Sequence, residues 1–240
     1  VPRGQADFGM YAAKETVSGL ADLGELAARL KSPVTFDRRG DVLWLDDFEG
    51  TEGKWILSGT GTGKAYAHSA ESARYGLCSM KLTAGDAATN HAQMATSLPY
   101  PVLSKIGMEI SFTYNAGFGE YLWTFRLYDG SDYYEGRVRF TWSTLAWEID
   151  DHGTWRLLKT GSLTQATYLY HTIKIVLDFT TKKYVRVILN EVEYDVSAYS
   201  LATDDSIASA QLRAEIRVTN RSAENMSAYF DSFIVTQNEP

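Results

Sequence analysis

Tyr121-Leu122-Trp123-Thr124-Phe125-Arg126-Leu127-Tyr128, then Asp129-Gly130-Ser131-Asp132, then Tyr133-Tyr134-Glu135-Gly136-Arg137-Val138-Arg139-Phe140-Thr141, alternates large apolar with polar residues on both sides of an Asp-Gly pair. Successive side chains of a strand point to opposite faces, so Tyr121, Trp123, Phe125 and Leu127 share one face. Val138, Phe140 and Trp142 do the same on the following strand. Asp-Gly is the turn chemistry of a short hairpin, and a short hairpin makes its two strands antiparallel.

Working outward from this hairpin, the same grammar holds from Gly40 to the last residues. Runs rich in Val, Ile, Tyr, Phe and Trp alternate with Gly, Asn and Asp. They predict strands over 43–48, 54–57, 65–68, 79–83, 93–97, 107–114, 121–128, 133–141, 145–149, 155–159, 171–179, 184–189, 192–196, 211–219 and 228–235. Asp150-Asp151-His152-Gly153 and Asn190-Glu191 supply further hairpin turns. No helical pattern interrupts this region to serve as a parallel crossover, so the expected fold is all-β: two packed antiparallel sheets over residues 41–240.

Residues 1–40 read differently, as an arm. Val17, Leu20, Leu23, Ala27 and Leu30 recur every three or four residues, which predicts an amphipathic helix over about 14–31 ending before Pro33. Gly19 and Gly24 each weaken it by roughly 1 kcal/mol relative to alanine, so it needs a surface to pack on. That surface is either the chain's own sandwich or a partner protein. In the second case Val17, Leu20, Leu23, Leu30, Arg38 and Arg39 are the docking residues.

Composition narrows the function. The formal charge of -7 at pH 7 argues against nucleic acid, whose binding needs clustered Lys and Arg. No apolar run approaches the roughly 20 residues that cross a bilayer, so no membrane partner is expected. A single cysteine, Cys78, leaves no internal disulfide. Gly59-Thr60-Gly61-Thr62-Gly63-Lys64 is not a phosphate-binding loop, because Ala65 stands where Ser or Thr is needed and no helix follows.

Trp147-Glu148-Ile149-Asp150 places two carboxylates on one face of a strand, as in the Glu-x-Asp-x-Glu of some glycoside hydrolases. A retaining glycosidase needs a second carboxyl about 5 Å from the first, and here Asp151-His152-Gly153 turns away instead. The segment reads as a hairpin and the protein as non-catalytic.

Leu45-Asp46-Asp47-Phe48-Glu49-Gly50, Lys54-Trp55, Ser72-Ala73-Arg74-Tyr75-Gly76 and Ser79-Met80-Lys81-Leu82 resemble the opening of carbohydrate-binding-module-like jelly rolls. Tyr229-Phe230-Asp231-Ser232-Phe233-Ile234-Val235 resembles their last strand. The middle, His171 to Asp178 followed by Lys183 to Val187, is similar to laminin-G and concanavalin-A-like sandwiches. The arm fused to such a jelly roll looks like structural proteins of tailed phages.

This resemblance implies a structural or attachment protein: a homo-oligomeric capsid-decoration or fibre component at the virion surface, anchored through the arm to the capsid or to itself. The alternative it implies is a carbohydrate-binding module, extracellular or at a cell surface; a glycoside-hydrolase-like enzyme comes third. It also implies a structural calcium at Asp47, Glu49 and Asp231, against the plainer reading of solvated carboxylates. For a glycan, the residues expected to matter are Arg126, Tyr128, Tyr134, Arg139 and Trp155, gathered with Arg137 and Thr141 on the polar face of one sheet.

Overall fold

A computed structural model describes residues 40–50 and 52–240. The helix expected over 14–31, the arm residues Val17, Leu20, Leu23 and Leu30, and Arg38 and Arg39 lie outside the described residues. Among the described residues no helix is long and apolar enough to cross a membrane.

The alternating segments pair into two antiparallel sheets. In chain order the strands are β1 (Asp41–Asp46), β2 (Ile56–Gly59), β3 (Ala65–Ser69), β4 (Ser79–Thr83), β5 (His91–Pro99), β6 (Lys105–Thr113), β7 (Phe118–Tyr128) and β8 (Asp132–Thr141). There follow β9 (Ala146–Asp151), β10 (Thr154–Thr160), β11 (Tyr170–Asp178), β12 (Lys183–Leu189), β13 (Val192–Asp195), β14 (Ala202–Asp205), β15 (Gln211–Asn220) and β16 (Ser227–Gln237). The first sheet runs β13-β12-β11-β6-β16-β4-β3, with β1 also on β16. The second runs β10-β9-β8-β7-β15-β5-β2, with β14 also on β8.

The core lies between the sheets and is dominated by the aromatics that the alternation placed on one face. Trp123 stacks on Trp147 with ring centroids 5.8 Å apart and on Tyr121 at 5.9 Å. Phe112 of the first sheet meets Trp123 of the second at 5.0 Å. Full burial of side chains of this kind contributes about 1.5–3 kcal/mol each, which explains why the pattern alone specifies the inward faces. The expected all-β sandwich is the observed fold.

One polar bond across the core sets the position of the second sheet's strands. The Tyr184 hydroxyl, on β12, donates to the Asp150 carbonyl at 2.8 Å and accepts from the Arg137 amide at 2.8 Å. Burial raises its pKa far above the ordinary tyrosine value, so it stays neutral and bonded. It ties β8 and β9 to the opposite sheet beneath the residues described next.

The outer face of the first sheet is roofed. The Arg74 and Tyr75 amides donate to Asp231 Oδ2 at 2.7 and 3.1 Å, and Arg74 Nη1 donates to Ser111 Oγ at 2.6 Å, bringing the 74–78 loop over β6 and β16. Farther along, the tail after β16 places Glu239 between Lys174 Nζ, at 2.8 Å, and Arg186. Thr236 Oγ1 donates to the same carboxylate at 2.6 Å. Gly107 is required beneath it, since a Cβ there would stand 2.5 Å from Thr236 Oγ1 and 3.0 Å from Glu239 Oε1.

Candidate functional site

Among the described residues no segment covers the outer face of the second sheet, and the pairing of β7, β8, β9, β10 and β15 assembles a lattice of charge there. Register places Arg126 opposite Glu135, Thr124 opposite Arg137 and Leu122 opposite Arg139. It also places Glu148 opposite Arg139, and Trp155 opposite Asp150. Because the strand period is two, all of these lie on the side opposite Trp123, Phe125 and Val138.

Arg126 Nε donates to Glu135 Oε2 at 2.5 Å and its Nη1 to the Tyr128 hydroxyl at 2.9 Å. Arg137 Nε lies 3.0 Å from Glu135 Oε1 and donates to Asp150 Oδ2 at 2.9 Å. Arg139 Nε donates to Glu148 Oε2 at 2.8 Å. From β15, Arg217 bonds Glu120 at 3.1 Å and Arg213 stands 3.6 Å from Glu215. The carboxylates of Glu135 and Asp150 are buried at the base of this lattice, while the guanidiniums above them remain partly exposed.

Burial works against the charge of Arg126 and Arg137, but the carboxylates outweigh it: Glu135 for Arg126, and Asp150 with Glu135 for Arg137, raise both above the ordinary arginine value. Both stay ionised at any accessible pH.

Aromatic rings stand among the ions. The Arg139 guanidinium lies 3.9 Å from the Trp155 ring centroid and that of Arg137 5.3 Å. Arg126 lies over Tyr133 at 5.0 Å and over Tyr128 at 5.8 Å, and the two tyrosine rings are 5.9 Å apart. Each guanidinium is thereby held flat by both a carboxylate and a ring. Nε of Arg213 and of Arg217 and Oγ1 of Thr141, all on this side of the sheet, have no hydrogen-bond partner among the described residues.

Of the residues expected to serve a glycan, Arg126, Tyr128, Arg139 and Trp155 come together here. Tyr134 does not. It faces inward with Gly136 and Val138, is 8% exposed, and its hydroxyl takes a hydrogen bond from Lys182 Nζ at 2.9 Å. Tyr133 takes the outer place. The structure adds Glu135, Glu148, Asp150, Arg213 and Arg217 to this face. Strict alternation from Arg137 and Arg139 would have found Tyr133 and Glu135, whereas the β15 arginines are far away in sequence.

Asp47, Glu49 and Asp231 do not converge as metal ligands. Among the described residues no group of three or more His, Cys, Asp or Glu is arranged to hold a metal ion. Their oxygens bind backbone instead. Glu49 Oε1 accepts from the Leu77 and Cys78 amides at 2.6 and 2.9 Å, Asp231 holds the Arg74 and Tyr75 amides, and Asp47 Oδ1 accepts from the Glu49 amide at 3.3 Å. Of the expected calcium carboxylates, Glu49 and Asp231 staple the 74–78 loop, and Asp47 closes the local turn at Glu49.

Glu148 and Asp150 do share a face, and each is paired with an arginine. Asp150 Oδ1 also accepts from the Gly153 amide at 2.8 Å, closing a turn in which His152 has φ 49° and Gly153 φ 87°. The β9–β10 turn therefore forms where Asp-Asp-His-Gly predicted it. A groove of about 590 Å³ opens beside it, lined by Asp151, His152, Thr154, Lys182, Ser200 and Thr203.

No family model matches the chain, and no curated protein matches it in sequence. Solved structures do match. A protein of unknown function with a galectin-like fold from Bacillus subtilis superposes with TM-score 0.54 at 13% identity, over 83% of this chain and 97% of that one. The carbohydrate esterase of Shiga toxin-encoding bacteriophage phi24B gives TM-score 0.52 at 16% identity, over 83% of this chain and 100% of that one. A sialidase gives TM-score 0.50 at 8% identity over 83% of this chain, which spans only 19% of the sialidase. At such identities the likeness establishes the fold alone, an antiparallel two-sheet jelly-roll sandwich.

Proposed function

We propose that the sandwich is a non-catalytic glycan-binding module whose ligand lies on the outer face of the second sheet. The observation that carries this reading is the set of partly exposed rings, Trp155, Tyr128 and Tyr133, held among ordered ion pairs on a sheet face that no described segment covers. A pyranose has an apolar C–H face that packs on such rings and hydroxyls that need donors and acceptors at its edge. The similarity to a protein with a galectin-like fold and to a carbohydrate esterase is compatible with this reading and goes no further than fold.

Titration of an oligosaccharide panel into the full chain tests it. Binding is expected for at least one glycan, falling roughly tenfold or more in Trp155→Ala and in Tyr128→Ala, as for loss of a ring at the centre of a contact. Bound glycan should be recovered uncleaved. Silence across plant, microbial and host glycans, or binding indifferent to both substitutions, overturns the reading.

A second role rests on the sequence of the arm. The apolar stripe Val17, Leu20, Leu23 and Leu30, followed by Arg38 and Arg39, is suited to anchoring the sandwich to a capsid, a fibre or further copies of the chain, as an attachment protein requires. Removing the residues before Gly40 should leave a folded sandwich that no longer assembles; unchanged assembly rules the anchor out.

A further inference from the structure

The outer face of the second sheet has a feature that bears on which glycans it can take: each of its arginines is matched by a carboxylate. Arg126, Arg137, Arg139, Arg213 and Arg217 are answered by Glu135, Asp150, Glu148, Glu215 and Glu120, each arginine within 3.6 Å of a carboxylate. We infer that this face selects neutral glycans and rejects those carrying carboxylate or sulfate, an inference that rests on the glycan-binding reading above.

The reasoning is electrostatic. An anionic sugar would bind an arginine strongly only by drawing it from its own carboxylate. Asp150 is 0% exposed and has Arg137 as its arginine partner, so losing Arg137 would leave it a buried charge without its counter-ion, a severe penalty, while Glu135, 3% exposed, would lose one of its two arginines. A hydroxyl faces no such exchange. It donates and accepts at once, so it can bridge a guanidinium N–H and a neighbouring carboxylate oxygen while the pair stays intact.

The aromatic contacts point the same way. The Trp155 ring is already engaged by the Arg139 guanidinium at 3.9 Å, so moving Arg139 toward an anion would also disrupt the ring that packs on the sugar. At longer range the chain's net charge of -7 repels anionic polysaccharide before contact.

The experiment is titration of the full chain with neutral oligosaccharides of glucose, xylose, mannose and galactose, with oligogalacturonate and oligoalginate, and with a sulfated galactan fragment. The expected result is binding to a neutral member and at least roughly tenfold weaker binding to the acidic ones, a preference built on penalising the wrong ligand. Neutral binding should change by less than about twofold between roughly 0.05 and 0.5 M NaCl, since no net ion pairing is formed.

Glu148→Gln, at a partly exposed position, removes the nearest carboxylate of Arg139, leaving Glu120 at 3.9 Å, and takes one negative charge from the face. It should gain about tenfold toward oligogalacturonate, and that gain should disappear in the higher salt. Wild-type preference for uronate or sulfate overturns the inference and leaves the glycan-binding reading standing. No gain in Glu148→Gln overturns charge matching as the cause of selection. Absence of binding to either class overturns the glycan-binding reading and this inference together.

Discussion

On the outer face of the first sheet, Lys174 and Arg186 lie beneath the chain's own tail with the Glu239 carboxylate between them, their side chains 1% and 5% exposed. On the outer face of the second, Arg126, Arg137 and Arg139 pair with Glu135, Asp150 and Glu148, and keep side-chain exposures of 24%, 31% and 24%. Both faces carry charge where a sandwich is expected to be polar. In the first, loop and tail cover the ions and the tail supplies the carboxylate between them, so the ions serve the fold. In the second, the protein satisfies the base of the lattice and leaves rings and guanidiniums toward solvent, where a ligand can complete it. Among the described residues the two faces differ in the presence of a roof, and the proposed binding surface is the one without it.

Breaking the roofed face should have the largest effect. Lys174→Met leaves the buried Glu239 carboxylate without its closest ammonium, and about 3–5 kcal/mol of unfolding free energy should be lost, as when one partner of a buried pair is removed. Denaturant unfolding measures it, and the triple variant Lys174→Met/Arg186→Met/Glu239→Leu, which removes both cations with the carboxylate, should recover part of the loss. Glycan affinity of the surviving folded Lys174→Met should equal that of wild type.

The open face should show the opposite balance. Trp155→Ala is expected to cost about 1.4 kcal/mol or more in glycan binding, a tenfold loss by titration. Its unfolding free energy should move by no more than about 1 kcal/mol, because the indole is partly exposed and lies outside the core. Comparable losses in stability for Lys174→Met and Trp155→Ala would erase the distinction between the two faces.

The smallest effect sharpens the roof itself. Burial raises the Asp231 pKa above the ordinary aspartate value, against the hydrogen bonds from the Tyr75 and Arg74 amides that favour the charged form. A carboxyl raised on folding stabilises the native state below its unfolded pKa and loses that contribution as pH rises through the folded pKa. Wild type should therefore lose stability relative to Asp231→Asn as pH climbs out of the acidic range, by less than about 1 kcal/mol, in paired unfolding curves. A difference that instead grows in favour of wild type with rising pH would mean that the amide hydrogen bonds dominate the site.

Much of this architecture is legible in the chain. The segments from 121 to 141 read as a hairpin because alternation and an Asp-Gly turn are local signals, and the same signals found nearly every other strand. The exception is β14. Ala202-Thr203-Asp204-Asp205 has no apolar alternation and becomes a strand only because Asp132–Glu135 of β8 extends past the reach of β9 and offers an open edge. Tyr134 stands apart from the other expected residues for a different reason: its position in the period of two directs it inward.

The candidate site was half visible. Arg126, Tyr128, Arg137 and Arg139 follow from one hairpin. Trp155 joins them through the next two strands, each paired to its neighbour in sequence. Arg213 and Arg217 arrive through β15, which inserts between β7 and β5 from the far end of the chain. No local pattern specifies such an insertion.

The sequence by itself determined which side of each strand faces inward, where the turns fall and that the chain is an antiparallel sandwich, because burial of alternating aromatics outweighs every competing local preference. Only the tertiary structure decided which polar face is covered and which is left open among the described residues. That choice depends on where the 74–78 loop and the Glu239 tail come to rest, and their attachments, Asp231 to the loop and Lys174 to the tail, join residues far apart in the chain through contacts that exist only once both sheets have formed.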